Sequence, residues 1–403
     1  METKICIHTK IGQVNIDPIR KRLVISKERF TTFKLIVLSN RGKFVIKVSD
    51  FYSINHDGSL GIDEIVWDFC YTPNGIRLKD EQNRFLKIGE IEEFFISKYS
   101  LSNRLGMTHW GGKYRLTNDD YLYEGAQSIR SMGINKLKIY LGLKSDGTYF
   151  TNYQNKSPSD IIQQDNYQRV LSMGFDLIVI ICHAKPTSEW KFSDSPNIYS
   201  EETDELRKLS IELGKFENTE FIITNWEGDC MIGNDKEPLV YQRMIKWVQA
   251  RQNGIDLANQ KNVKHGIEVN FVRQSLPSIG NISVLTEVVP YTKTDYVSYS
   301  CYDCKNESEF EDSVKMISKL SNRPMIIGEF GTPVNIRSSS ESLEYIRGIF
   351  NVCEKYHIKA CFYWQIYENE FKRDGLGNLE PMGFGIIGHD SKVNGIWALL
   401  QYF

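Results

Sequence analysis

The feature that most constrains this chain is a change of rhythm near residue 100. From there to the C-terminus, short apolar runs alternate with amphipathic stretches of helical length. The runs fall at 104–108, 136–140, 177–182, 221–224, 266–271, 296–301, 325–330 and 360–364. Apolar runs of this length bounded by breakers read as buried strands. Helices are expected at 121–131, from 157 to about 171, at 201–213, from 238 through 250, and at 309–320, 338–355 and 393–401. Strands separated by helices pair in parallel. Eight such units in about 300 residues match a (β/α)8 TIM barrel. A doubly wound open sheet would use fewer strands and a Gly-rich phosphate loop, and neither GxGxxG nor GxxxxGK[ST] is present.

The first hundred residues have a different period. Apolar and polar residues alternate in runs at 4–7, 22–25, 33–38 and 43–48, with turn chemistry at Asp57-Gly58 and Asn74-Gly75. A small antiparallel β domain of sandwich type is expected over 1–98, ahead of a catalytic barrel over 99–403. It would pack on the barrel or bind sugar.

The 49 basic and 51 acidic residues give a net charge of -2, without like-charge blocks, so neither nucleic acid nor a membrane surface is an expected partner. The start, METKICIHTK, has no apolar signal core, and no run reaches membrane-span length. A soluble protein is expected, cytoplasmic or exported by a non-classical route, and a monomer or weak dimer. Of the eight cysteines, only Cys301 and Cys304 have metal or redox spacing, without a second pair or a neighbouring His. No metal and no cofactor are expected.

Two runs end in a carboxylate beside glycine: Asn225-Trp226-Glu227-Gly228 after the fourth, and Ile327-Gly328-Glu329-Phe330-Gly331 in the seventh. A charge inside a fully buried strand is costly. At a strand's C-terminal end it faces the mouth where parallel barrels do their chemistry. Glu227 and Glu329 stand 102 residues apart, three units of the repeat, so both would face one cleft. Two carboxylates across a cleft are the minimum machinery for hydrolysing a glycosidic bond.

With Phe362-Tyr363-Trp364-Gln365 in the eighth run, these motifs resemble clan A of the glycoside hydrolases, the retaining barrel enzymes. The resemblance covers about residues 100–403. It implies that Glu227 is the acid/base, Glu329 the nucleophile and Trp364 the floor of the cleft. It also implies that Tyr299 or Tyr302 hydrogen-bonds the nucleophile. In that clan an Asn immediately precedes the acid/base, whereas here Trp226 intervenes. Strand alternation would still turn Asn225 and Glu227 to one side, where Asn225 would hold the sugar 2-hydroxyl.

Further cleft candidates are His109 and Trp110 after the first strand, His183 after the third, and Glu268 and Asn270 in the fifth. Trp110, Trp190, Trp226 and Trp364 all fall at or after strand ends, and two of the four are expected to stack on sugar. Asp229 is expected to cap a turn. The expected partner is a carbohydrate. Two alternatives stand beside the hydrolase. One is a catalytically inactive glycan-binding barrel. The other is a lyase or isomerase with a phosphate site near Gly375, Gly377, Gly383 and Gly385.

Overall fold

A computed structural model describes residues 103–111, 114–141, 149, 156–183, 189–234, 236–373, 379–388, 391 and 395–400, and the backbone of ten strands between Glu2 and Lys98. Eight strands form a closed barrel. They are β1 (Leu105–Thr108), β2 (Lys136–Tyr140), β3 (Leu177–Ile181), β4 (Glu220–Thr224), β5 (Val263–Val269), β6 (Tyr296–Ser300), β7 (Met325–Phe330) and β8 (Cys361–Tyr363). All pairings are parallel, and β1 closes the ring by pairing with both β2 and β8.

Alternation sorts the strand residues. Leu177, Val179, Ile222, Ile326, Ala360 and Phe362 form one small cluster, the barrel lumen. Their neighbours Ile178, Ile180, Phe221, Ile223, Met325 and Ile327 belong to a larger cluster that also holds the helix residues. A strand buried on both faces must be apolar throughout, which is why β3 reads Leu-Ile-Val-Ile-Ile. Each such side chain gains about 1.5–3 kcal/mol from burial.

The helices begin and end on local chemistry. Asp120 caps Tyr121–Ser131 by accepting from the Tyr123 N–H, and Gly133 follows at φ 81°. Ser338 and Glu341 form a capping box on Ser339–Lys355. The helix expected from 157 is two pieces, Pro158–Ile161 and Asp165–Leu171. The next begins at Pro196 rather than 201, since proline suits the first helical turn. β5 starts earlier than expected and ends at Val269, before Phe271 enters the left-handed region at φ 50°. A short helix, Gly228–Ile232, follows Glu227 directly. A two-stranded hairpin, Phe371–Arg373 with Leu379–Pro381, occupies the last loop.

The ten N-terminal strands pair antiparallel in one sheet, with Glu2–Thr9 between Phe33–Val37 and Phe95–Lys98. Their side chains, and so the expected sandwich core, lie outside the described residues. Among the described residues, no helix is long and apolar enough to cross a membrane. Cys301 and Cys304 are free thiols.

Candidate active site

Glu329 reaches the cleft through a bulge. Tyr299 of β6 pairs with Ile327 and Ser300 with Glu329, which leaves Gly328 as the extra residue on β7. The added residue re-aims the side chain that follows. Phe330 accordingly turns outward, against Phe350 and Tyr363. Gly328 has no room for a side chain, because a Cβ there would collide with the Glu268 carboxylate and the Ser298 hydroxyl.

Beneath Glu329 lies a buried charged cluster. The Lys138 ammonium donates to Glu329 Oε1 at 2.9 Å, to Glu268 Oε2 at 2.9 Å and to the Gly328 carbonyl at 3.0 Å. Ser298 also donates to Glu268 Oε2, at 2.7 Å, and the Glu227 N–H points at Glu268 Oε1 at 3.4 Å. Glu268 was expected to line the cleft, but it is wholly buried below it. Burial opposes the Lys138 charge, yet the two carboxylates outweigh it and hold the ammonium protonated. Burial pushes the Glu329 carboxyl up. Lys138 pulls it down, while Glu268 and then Glu227 push it further up.

Glu227 sits at the turn from β4 into the short helix. Ser300 donates to its Oε1 at 2.6 Å, and the Cys230 thiol to its Oε2 at 3.1 Å. Asn270 Nδ2 lies 3.4 Å from the same Oε2. Gly228 lets this turn press on β5, where a Cβ would come within 2.9 Å of the Glu268 carbonyl. Asn225 is not beside Glu227 in the cleft. It is buried, with its amide donating to the Glu268 carbonyl at 3.0 Å and accepting the Glu268 N–H at 3.0 Å. Its side chain continues the β4–β5 ladder beyond the last backbone pair, because the chain leaves strand geometry after Thr224 and alternation no longer applies. Asp229 does not cap its own turn: its carboxylate accepts from Val284 N at 2.8 Å and Asn270 N at 3.3 Å, tying the turn to the segment after β5, and burial lifts its carboxyl to about 6.

The aromatic candidates divide. Trp110 and Trp364 meet with ring centres 5.4 Å apart, and Tyr140 flanks Trp110 at 5.5 Å. Trp226 and Tyr302 are each about two-fifths exposed, at 41% and 42%. Trp190 is core, stacked on Trp247. Tyr299 points outward to the helices, where its hydroxyl donates to Asp303 at 2.5 Å and its ring stacks on Phe310. Tyr302 has no hydrogen bond to the nucleophile candidate, although burial, then the charge of Glu329, hold its phenol well above the usual pKa; the tyrosine that donates to Glu329 Oε1 is Tyr140, at 3.5 Å. His109 lies outside the barrel among Tyr121, Tyr149 and Tyr367, bonded to the Tyr121 carbonyl, and burial lowers it to about 4. His183 takes the Trp226 N–H at 3.3 Å, and so braces the loop that presents Trp226.

Sequence reasoning missed Lys138, Tyr140, Ser298 and Ser300. The signal was available in Lys136-Leu137-Lys138-Ile139-Tyr140, where a lysine in mid-strand needs a buried carboxylate as partner. Ser298 and Ser300 share one face of β6, opposite Tyr299. Among the described residues, no group of three His, Cys, Asp or Glu side chains could hold a metal ion.

No protein-family model matches the chain, and no curated protein does. Solved structures do. A GH5_18 protein from Bifidobacterium longum subsp. infantis superposes with a TM-score of 0.54 at 11% identity, over 74% of this chain and 77% of that one. A family 39 glycoside hydrolase from Bacteroides cellulosilyticus WH2 gives 0.52 at 12% identity, over 100% and 77%. A GH5_18 variant from Streptomyces cattleya, in complex with Manβ1-4GlcNAc, gives 0.54 at 12%, over 74% and 79%. The chain therefore shares the barrel fold of these clan A glycoside hydrolases. At such identities the likeness extends to the fold, and the family within the clan is not assignable.

Proposed function

We propose that the protein is a retaining glycoside hydrolase that cleaves an oligo- or polysaccharide by double displacement. The observation that supports the reading is that Glu227 follows β4 and Glu329 stands on β7 of a closed parallel barrel, with Glu227 among the charges that act on Glu329. The Glu329 carboxyl feels the charge of Glu227, and Tyr140 and Tyr302 feel both. Glu329 Oε attacks the anomeric carbon while Glu227 gives its proton to the departing oxygen. Glu227 then takes a proton from water as the water oxygen displaces Glu329. Trp110 and Trp364 supply an aromatic wall for the sugar ring. In this reading residues 99–403 are the catalytic barrel and 1–98 an accessory β domain.

The placement of Asn225 favours a second reading, a glycan-binding barrel without turnover. Its amide is engaged by β5 and by the Trp226 carbonyl instead of facing a sugar hydroxyl.

A panel of activated fluoro-glycosides followed by peptide mass spectrometry decides between the two. The panel includes a mannose-configured probe. A covalent adduct on Glu329, absent from Glu329→Gln, is the expected result. Glycan binding without any adduct, unchanged in Glu329→Gln, would move the assignment to the binding barrel.

A further inference from the structure

We propose that Glu268 is a positioning residue for the nucleophile: as the permanent counter-ion of Lys138, it lets Lys138 orient Glu329 without neutralising it. This rests on the reading of Glu329 as nucleophile given above.

The geometry carries it. Lys138 divides its charge between two carboxylates at equal distance, 2.9 Å each, and gives its third proton to the Gly328 carbonyl. No donor is left for a substrate. Glu268 is fully buried and accepts from Lys138, Ser298 and the Glu227 N–H. It cannot reach a sugar, so any role in the reaction passes through its neighbours.

The charge count gives that role. With Glu329 ionised, two carboxylates share one ammonium and the cluster carries one net negative charge. When Glu329 Oε bonds the anomeric carbon and the leaving oxygen takes the Glu227 proton, the Glu329 charge disappears. Lys138 then remains paired with Glu268, and the cluster is neutral. Without Glu268 the same step would leave a lone ammonium in a buried site, which is strongly unfavourable. The excess negative charge in the resting state also makes Glu329 a stronger base and nucleophile. When water displaces Glu329, the electron pair of the breaking carbon–oxygen bond returns to Glu329 and the first state is restored. Glu268 holds the other carboxylate in place as well, because the Glu227 N–H and the Asn225 amide both bond to it and Gly228 packs on its carbonyl.

The titratable groups that face Glu329 are Lys138 and Tyr140 from β2, Glu227 after β4, Glu268 from β5 and Tyr302 after β6. Its protonation can be followed without turnover, by carbon NMR of protein labelled at the glutamate carboxyl carbon. Glu329 is assigned as the resonance missing from Glu329→Gln. Relative to wild type, Glu268→Gln should lower its midpoint by more than about one pH unit, and Lys138→Met should raise it. Opposite shifts are something that simple loosening of the fold does not produce. Shifts in the same direction, or none, overturn the proposal. Should neither variant fold, Glu268→Asp keeps the charge but draws it back from Lys138, which should lower the Glu329 midpoint; an unmoved or raised midpoint overturns the proposal. If the midpoints shift as expected while no glycoside is labelled or cleaved, the assigned function fails and the role of Glu268 in setting the Glu329 charge stands. If glycosides are cleaved and the midpoints do not move, only the Glu268 proposal fails.

Discussion

Replacing Lys138 by Met leaves two buried carboxylates without their cation. Lys138, Glu268 and Glu329 are at most 5% exposed in their side chains, so solvent screens them little. Removing one partner from such a group costs about 3–5 kcal/mol. The folded variant can relieve the repulsion only by holding protons. Without the ammonium the net charge of the cluster with Glu329 ionised goes from minus one to minus two, so the folded variant holds about one proton more than wild type. A folded-state carboxyl pKa raised above its unfolded value gives stability that is present at low pH and is lost as pH rises. The extra proton therefore steepens that loss by about 1.36 kcal/mol per pH unit above the unfolded value near 4.3. Between pH 5 and pH 8 the penalty of Lys138→Met should grow by up to about 4 kcal/mol. Denaturant melts of wild type and variant at both pH values measure it. A penalty under about 1 kcal/mol, or one equal at the two pH values, would refute the charged cluster.

Three further outcomes follow from the same geometry. Ser300→Ala removes a 2.6 Å donor that holds Glu227 Oε1; losing a bond worth about 1.5 kcal/mol should lower kcat/KM about tenfold, and wild-type kcat/KM argues against Glu227 as a catalytic group. Gly328→Ala drives a methyl into Glu268 and Ser298; calorimetry should show about 1–3 kcal/mol of destabilisation with loss of Glu329 labelling, and wild-type behaviour would contradict the close packing at the bulge. His109 and His265 are both buried and held neutral, with burial as the main cause. Their folded pKa values are depressed, so the unfolded chain takes up protons first and stability should fall as pH drops below about 6.5, by up to about 1.36 kcal/mol per pH unit for each. His109→Gln should remove one share of that slope in melts between pH 7 and pH 5, and an unchanged slope would show that His109 is protonated in the fold.

Much of the architecture was legible in the chain, because apolar period, glycine and proline breaks and helix caps are local signals. Asp120, Ser338 and Gly133 act where they stand, whatever surrounds them. The eight strand positions and the placing of Glu227 and Glu329 at barrel strand ends came from the same local reading. Other features required the closed sheet. Glu329 faces the cleft only because a bulge between β6 and β7 adds Gly328. By strict alternation with Ile326 it would have pointed out to the helices. Tyr299, which the sequence offered as a nucleophile partner, is on the outward face of β6 for the reason that Ser298 and Ser300 are inward. Asn225 stops acting as a strand residue one position after β4 ends and is taken up by β5. Above all, Lys138, Glu268 and Glu329 come from β2, β5 and β7, up to 191 residues apart. A local pattern reports which way a side chain leaves its own strand. Which charges meet in the lumen depends on the closure and shear of the whole barrel, and that is a property of the tertiary structure alone.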